Sequence, residues 1–159
     1  MIFVVLGSQK QPFNRLLEAL DKLIEEGVIQ EAVFAQIGTS DYLPKYYPFE
    51  PFLDNTLFEE KMSSASIVIT HGGTGSIVQA VKKNKKVIAV PRLKMYGEHV
   101  DDHQKQIVEA FDNLDYIVAC HNIENLGKIY QALPEQIFKP FQSSNKKVLA
   151  DIENYIDRL

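Results

Sequence analysis

The stretch Val68 to Ser76, ending in His71-Gly72-Gly73-Thr74-Gly75-Ser76, is the first place where residue types and spacing suggest chemistry. Glycines between a strand and a helix let the backbone approach a ligand closely. The unpaired N–H groups of the helix's first turn then form a site for an anion. Thr74 and Ser76 add hydroxyl donors, so the segment suits a diphosphate held without a dedicated metal. A tight connection with no ligand can carry the same glycines, and the pattern alone does not separate the two. Two familiar phosphate motifs fail. There is no G-x-x-x-x-G-K-[ST] run, which speaks against a P-loop ATPase, and Gly73-Thr74-Gly75 lacks the third glycine of G-x-G-x-x-G and follows a later strand, so an NAD-binding domain is a poor match.

Two further segments belong to the same argument. Gly7-Ser8-Gln9 follows the first apolar run, and in an open parallel sheet it can lie at the ligand edge beside the His71 turn; alone, Gly7 could equally just permit a turn. The loop Tyr96 to Gln104 concentrates Glu98, His99, Asp101, Asp102, His103 and Gln104, in a chain with four histidines. Its carboxylates and amide can hydrogen-bond sugar hydroxyls, while Asp101 or Asp102 could serve only as a helix N-cap. The spacing of His99 and His103 would suit zinc on a helix, but the one cysteine, Cys120, is far away and no metal site is expected. His71 could simply bond its own turn, and His121 reads as a surface loop residue.

These segments need a scaffold that brings strand ends together. Short apolar runs alternate with helical periodicity, the pattern of βα units on a parallel sheet with helices on both faces. Strands are expected at residues 2–6, 31–37, 46–52, 67–70, 87–90 and 116–119, the third weakened by Pro48 and Pro51. Helices are expected at 13–26, at 55–64 behind Asp54, after Ser76 to Lys83, from Asp101 or Asp102 to Phe111, at 123–132 and at 145–158. In the first, Leu16, Leu17, Leu20, Leu23 and Ile24 share one face.

A chain of 159 residues with 45% hydrophobic and 24% charged residues fits one globular domain, 1–159. A net charge of −4 and a pI near 5.6 argue against a nucleic-acid surface. A single cysteine forms no internal disulfide, and no window approaches the roughly 20 apolar residues of a membrane span, so a soluble cytoplasmic protein is expected. The run after Met1 reads as a buried strand and not a signal peptide.

Val4 to Gln9 with Phe13 to Leu17, Thr70 to Ala80, and Glu98 to Gln104 together resemble three blocks of one family. It is the group of glycosyltransferases related to the lipid II-forming GlcNAc transferase, in its split, two-subunit form. The nearest likeness is to catalytic subunits of bacterial capsule and exopolysaccharide transferases and of the transferase adding the second GlcNAc to dolichol-linked precursors. The resemblance implies the C-terminal half of a GT-B fold that binds a UDP-sugar as substrate, with no cofactor and no metal. A membrane-associated partner subunit would supply the acceptor-binding half and recruit the chain to the inner face of the cell membrane; a single-chain enzyme would need roughly twice the length. The reaction implied is inverting transfer of a hexose or N-acetylhexosamine, galactose or GlcNAc favoured, to a lipid-linked saccharide.

Carried over by position, Gly7 and Ser8 face the diphosphate and acceptor, and His71, Gly73, Thr74, Gly75 and Ser76 match the phosphate turn. Asp102, His103 and Gln104 match the block contacting the donor sugar. Gln79 stands where a ribose-binding glutamate is usual and offers no charged acceptor. His71 would help stabilise the leaving diphosphate, and Glu98 and His99 are candidate bases if their loop faces the cleft. Two rivals remain: a nucleotide-sugar epimerase, and a regulatory subunit that keeps the fold without turnover. The aromatic stretch 42–52 and the terminal amphipathic helix are candidate partner surfaces, and Lys82, Lys83, Lys85 and Lys86 read as a solvated helix end.

Overall fold

A computed structural model describes residues 1–141, so the helix expected at 145–158 lies outside the described residues. Six strands form one all-parallel sheet: β1 Ile2–Val5, β2 Val33–Gln36, β3 Phe49–Glu50, β4 Ile67–His71, β5 Lys86–Val90 and β6 Val118–Ala119. Their order is β3-β2-β1-β4-β5-β6. That order reverses direction between β1 and β4, the switch point at whose carboxyl ends open parallel sheets form a ligand crevice.

Alternation along the strands sends side chains to two cores. Ile2, Val4, Leu6, Ile69, Ile88 and Val90 meet α1 (Asn14–Glu25) and α5 (Leu126–Ala132) on one face. On the other, Phe3, Val5, Val68, Val87 and Ala89 pack beneath α2 (Asn55–Ser64), α3 (Thr74–Lys82) and α4 (His103–Asn113). Leu16, Leu17 and Leu20 of α1 are wholly buried, each worth roughly 1.5–3 kcal/mol of apolar transfer.

All six strands expected from the sequence are present, with shifted bounds. β3 shrinks to two residues because the prolines on either side cannot donate to the ladder, which confines it to an edge. β4 runs one residue further than expected, and His71 pairs with Val90 as the strand's last residue. α3 starts at Thr74, so Thr74, Gly75 and Ser76 form its first turn. Asp54 caps α2 as expected, accepting from Leu57 N at 2.8 Å. Asp102 occupies the N-cap position of α4, but its carboxylate accepts instead from Lys94 N at 2.9 Å, and Asp101 Oδ1 receives His103 N. Among the described residues no helix is long and apolar enough to cross a membrane.

Candidate functional site

At the switch point between β1 and β4, the two glycine turns close on His71. Its imidazole is 5% exposed and lies between the two glycine turns: a Cβ on Gly7 would stand 2.6 Å from Nε2, and one on Gly73 2.3 Å from Cε1. Both positions therefore exclude any larger side chain while the ring stays in place. Gly7 also has φ of +76°, a left-handed conformation that β-carbons disfavour. Nε2 is 3.4 Å from Ser76 Oγ, longer than an ordinary hydrogen bond. Nδ1 is 3.1 Å from the amide nitrogen of Gln104. Burial first, then the nearby Arg92 cation, lowers the imidazole pKa to about 4, so the ring is neutral at physiological pH.

Beside the ring, α3 begins without any side-chain cap at Gly73. The N–H groups of its first turn face the same edge as Gly7 and can serve an anion. A Cβ added to Gly75 would meet nothing within 4 Å, so this glycine is not demanded by packing. Gly72 is: there a Cβ would stand 2.6 Å from Gln104 Cβ, and its absence lets α4 close on the turn.

The structure brings Gly7, Gly73 and Ser76 against His71, with Thr74 and Gly75 in the same first turn of α3 and Ser8 exposed after β1. It places other predicted residues differently. Gln104 is 3% exposed, its amide oxygen accepts from Gly72 N and Arg92 N and its NH₂ faces His71 Nδ1, so the amide is turned into the fold and not towards solvent. Glu98 is not an open base: at 3% exposure it grips Arg15 through two contacts of 3.0 Å and also accepts from Leu93 N at 3.1 Å. His99 Nδ1 accepts from Asp101 N at 3.2 Å and lies 3.1 Å from Asp101 Oδ1, which ties it to its own loop. Asp102 and His103 are exposed but bond locally, to Lys94 N and to Gln106; Gln79 is exposed on α3.

Two residues at the site escaped sequence reasoning. Arg92 follows β5 and is 1% exposed, with its guanidinium bonded to the carbonyls of Leu6, Gln11 and Glu98, and 5.0 Å from the Phe13 ring centre. Burial lowers its pKa to about 10, leaving it charged. The direct hydrogen bonds of Arg92 all go to backbone carbonyls, while the Glu98 carboxylate, bonded to Arg15, acts on it as a nearby charge. Arg15 leans on Tyr96 at 4.7 Å and joins α1 to the 91–102 loop. A lone arginine just past a strand's carboxyl end was the available signal for Arg92.

Over its whole length, residues 1–159, the sequence matches the glycosyltransferase family 28 C-terminal domain. The chain belongs to that family. The chain resembles the crystal structure of Acinetobacter baumannii MurG with a TM-score of 0.58 and 16% identity, covering 98% of this chain and 44% of that one. The fold is thus α/β, Rossmann-like, and equivalent to the C-terminal half of a GT-B glycosyltransferase. The solution structure of ALG13 superposes with a TM-score of 0.62 at 20% identity, over 96% of this chain and 94% of that one. In sequence, the UDP-N-acetylglucosamine transferase subunit ALG13 of Saccharomyces cerevisiae is 34% identical over 95 residues, 55% of this chain and 45% of the relative. The chain spans less than half the length of the first such curated relatives.

Proposed function

We propose that this family 28 domain is the donor-binding, catalytic half of a UDP-sugar glycosyltransferase whose acceptor-binding half is a separate membrane-associated subunit. The observation that carries the reading is the uncapped first turn of α3 beside His71 and Gly7, at the sheet's switch point. A diphosphate seated there would receive N–H groups of Thr74, Gly75 and Ser76, the Ser76 hydroxyl and the imidazole, with the buried Arg92 cation near the ring adding positive charge. Gly7 and Ser8 would border the diphosphate from the β1 side. Gln79, and the exposed Asp102 and His103, remain the candidates for ribose and sugar contacts.

The acceptor hydroxyl oxygen would form the new bond to the anomeric carbon as the bond to the UDP oxygen breaks, inverting configuration. The charge developing on UDP falls on protein donors, and no resident metal is required for this step. The acceptor proton goes to a base on the partner half, because Glu98 is committed to Arg15 and His99 to its own loop. The name of the yeast relative makes UDP-GlcNAc the first donor to try, with UDP-galactose next. The acceptor is a lipid-linked saccharide of surface polysaccharide or dolichol type, which brings the assembled pair to the cytoplasmic membrane face.

Isothermal titration of the full chain, with and without its partner and with chelator present, tests this. Binding of one UDP-sugar and not NAD supports the reading; loss of that binding in chelator would overturn its metal-free part. No binding of any UDP-sugar by the assembled pair would overturn the donor assignment.

A further inference from the structure

The hydrogen bonds around Gln104 determine more than its own position. Its Oε1 is 3.1 Å from Gly72 N and 3.1 Å from Arg92 N, and both of those groups can only donate. The amide orientation is thereby settled: oxygen faces the two backbone donors, and the NH₂ faces Nδ1 of His71 at 3.1 Å. An amide NH₂ cannot accept, so Nδ1 must carry the lone pair. In a neutral imidazole the proton is then on Nε2, the nitrogen beside Ser76 and between Gly7 and Gly73.

We propose that Gln104 is a positioning residue that holds His71 as its Nε2–H tautomer, so that the imidazole presents a proton donor, and never a lone pair, to the diphosphate. The purpose assigned to this arrangement rests on the donor-binding reading above; the tautomer itself does not. The Ser76 hydroxyl, at 3.4 Å, leaves the Nε2–H only partly satisfied, and an anionic oxygen is the better acceptor. A lone pair on Nε2 would instead repel that oxygen. The assignment moves Gln104 from the sugar to the leaving group, through the histidine.

The substitution Gln104→Glu tests this in the full chain. Glutamate is isosteric and still accepts from Gly72 N and Arg92 N, but it turns the partner of Nδ1 from a donor into an acceptor. Imidazole nitrogen spectra should show the neutral Nε2–H form in the wild type and a ring protonated at Nδ1 in the variant, both read without ligand. Affinity for UDP-GlcNAc, whose diphosphate does not titrate near neutrality, should be flat in the wild type between about pH 6 and 8. In the variant it should vary about tenfold or more, following the His71 titration seen in the same spectra. The charged and titratable groups beside the ring are Arg92 and His99; the Glu98 carboxylate is held by Arg15. A wild-type ring protonated at Nδ1, or a variant whose spectrum is unchanged, would overturn the tautomer assignment. Spectra as expected with equal, flat affinity would overturn the positioning role. Spectra as expected with no nucleotide binding by the wild type would support the tautomer and refute the donor reading instead.

Discussion

The side-chain amide of Gln104 stands 3.1 Å from His71 Nδ1 while its oxygen receives the backbone of Gly72 and Arg92, so one residue of α4 joins the loops that follow β4 and β5. All of these groups are buried. Gln104→Ala would leave two backbone donors without an acceptor, and destabilisation of about 2–4 kcal/mol is expected. Urea denaturation measures it; a loss below about 0.5 kcal/mol would mean that water replaces the amide and that the two loops are joined by other contacts.

Gly73 and Gly75 separate packing from binding. Gly73→Ala drives a β-carbon to within 2.3 Å of the imidazole, so the ring must shift and stability should fall by about 1–3 kcal/mol. Gly75→Val meets open space, and its melting temperature should stay within a few degrees of wild type. If the crevice holds the diphosphate, the same valine blocks it and lowers UDP affinity about tenfold or more. Normal UDP binding by a folded Gly75→Val protein would remove the first turn of α3 from the site.

Burial of His71 gives stability a pH dependence whose sign can be worked out. Its pKa falls from 6.5 in the unfolded chain to about 4 in the native fold, so between these values the unfolded state binds more protons. The associated stability is present above about pH 6.5 and is lost as pH falls towards 4, up to about 3 kcal/mol. His71→Asn keeps an acceptor for Gln104 and cannot charge. The difference in unfolding free energy between the two proteins should therefore shrink by that order between neutral pH and pH 4, and a constant difference would show that the native imidazole titrates normally.

How much of this could be read in advance depended on whether a signal was local. The sheet was legible because parallel strands buried on both faces leave unbroken apolar runs, as in Ile2 to Leu6 and Val87 to Val90. The glycine turn was legible because backbone approach demands a residue type. Gln104 and Glu98 were read as facing a ligand, and Arg92 was not singled out, for a shared reason: polar residues at a ligand edge look alike in sequence whether they face the ligand or one another. The partner of Glu98 is Arg15, 83 residues away, and nothing near position 98 announces it. Arg92 went unnoticed because its partners are backbone carbonyls, which every sequence has.

The same pairing decides how a Glu98 variant should behave. Removing one partner of a buried ion pair costs roughly 3–5 kcal/mol, and Glu98→Gln should cost less, about 2–3 kcal/mol, because Arg15 keeps some solvent and the new amide oxygen can still accept one of its N–H groups. If the chain acts in the pair proposed above, turnover by that pair, measured well below the melting temperature, should stay within about threefold of wild type. A general base at this position gives the opposite pattern: a rate loss of about 100-fold or more with stability intact. The two readouts together assign the carboxylate, since a tether between α1 and the 91–102 loop moves the first and a proton acceptor moves the second.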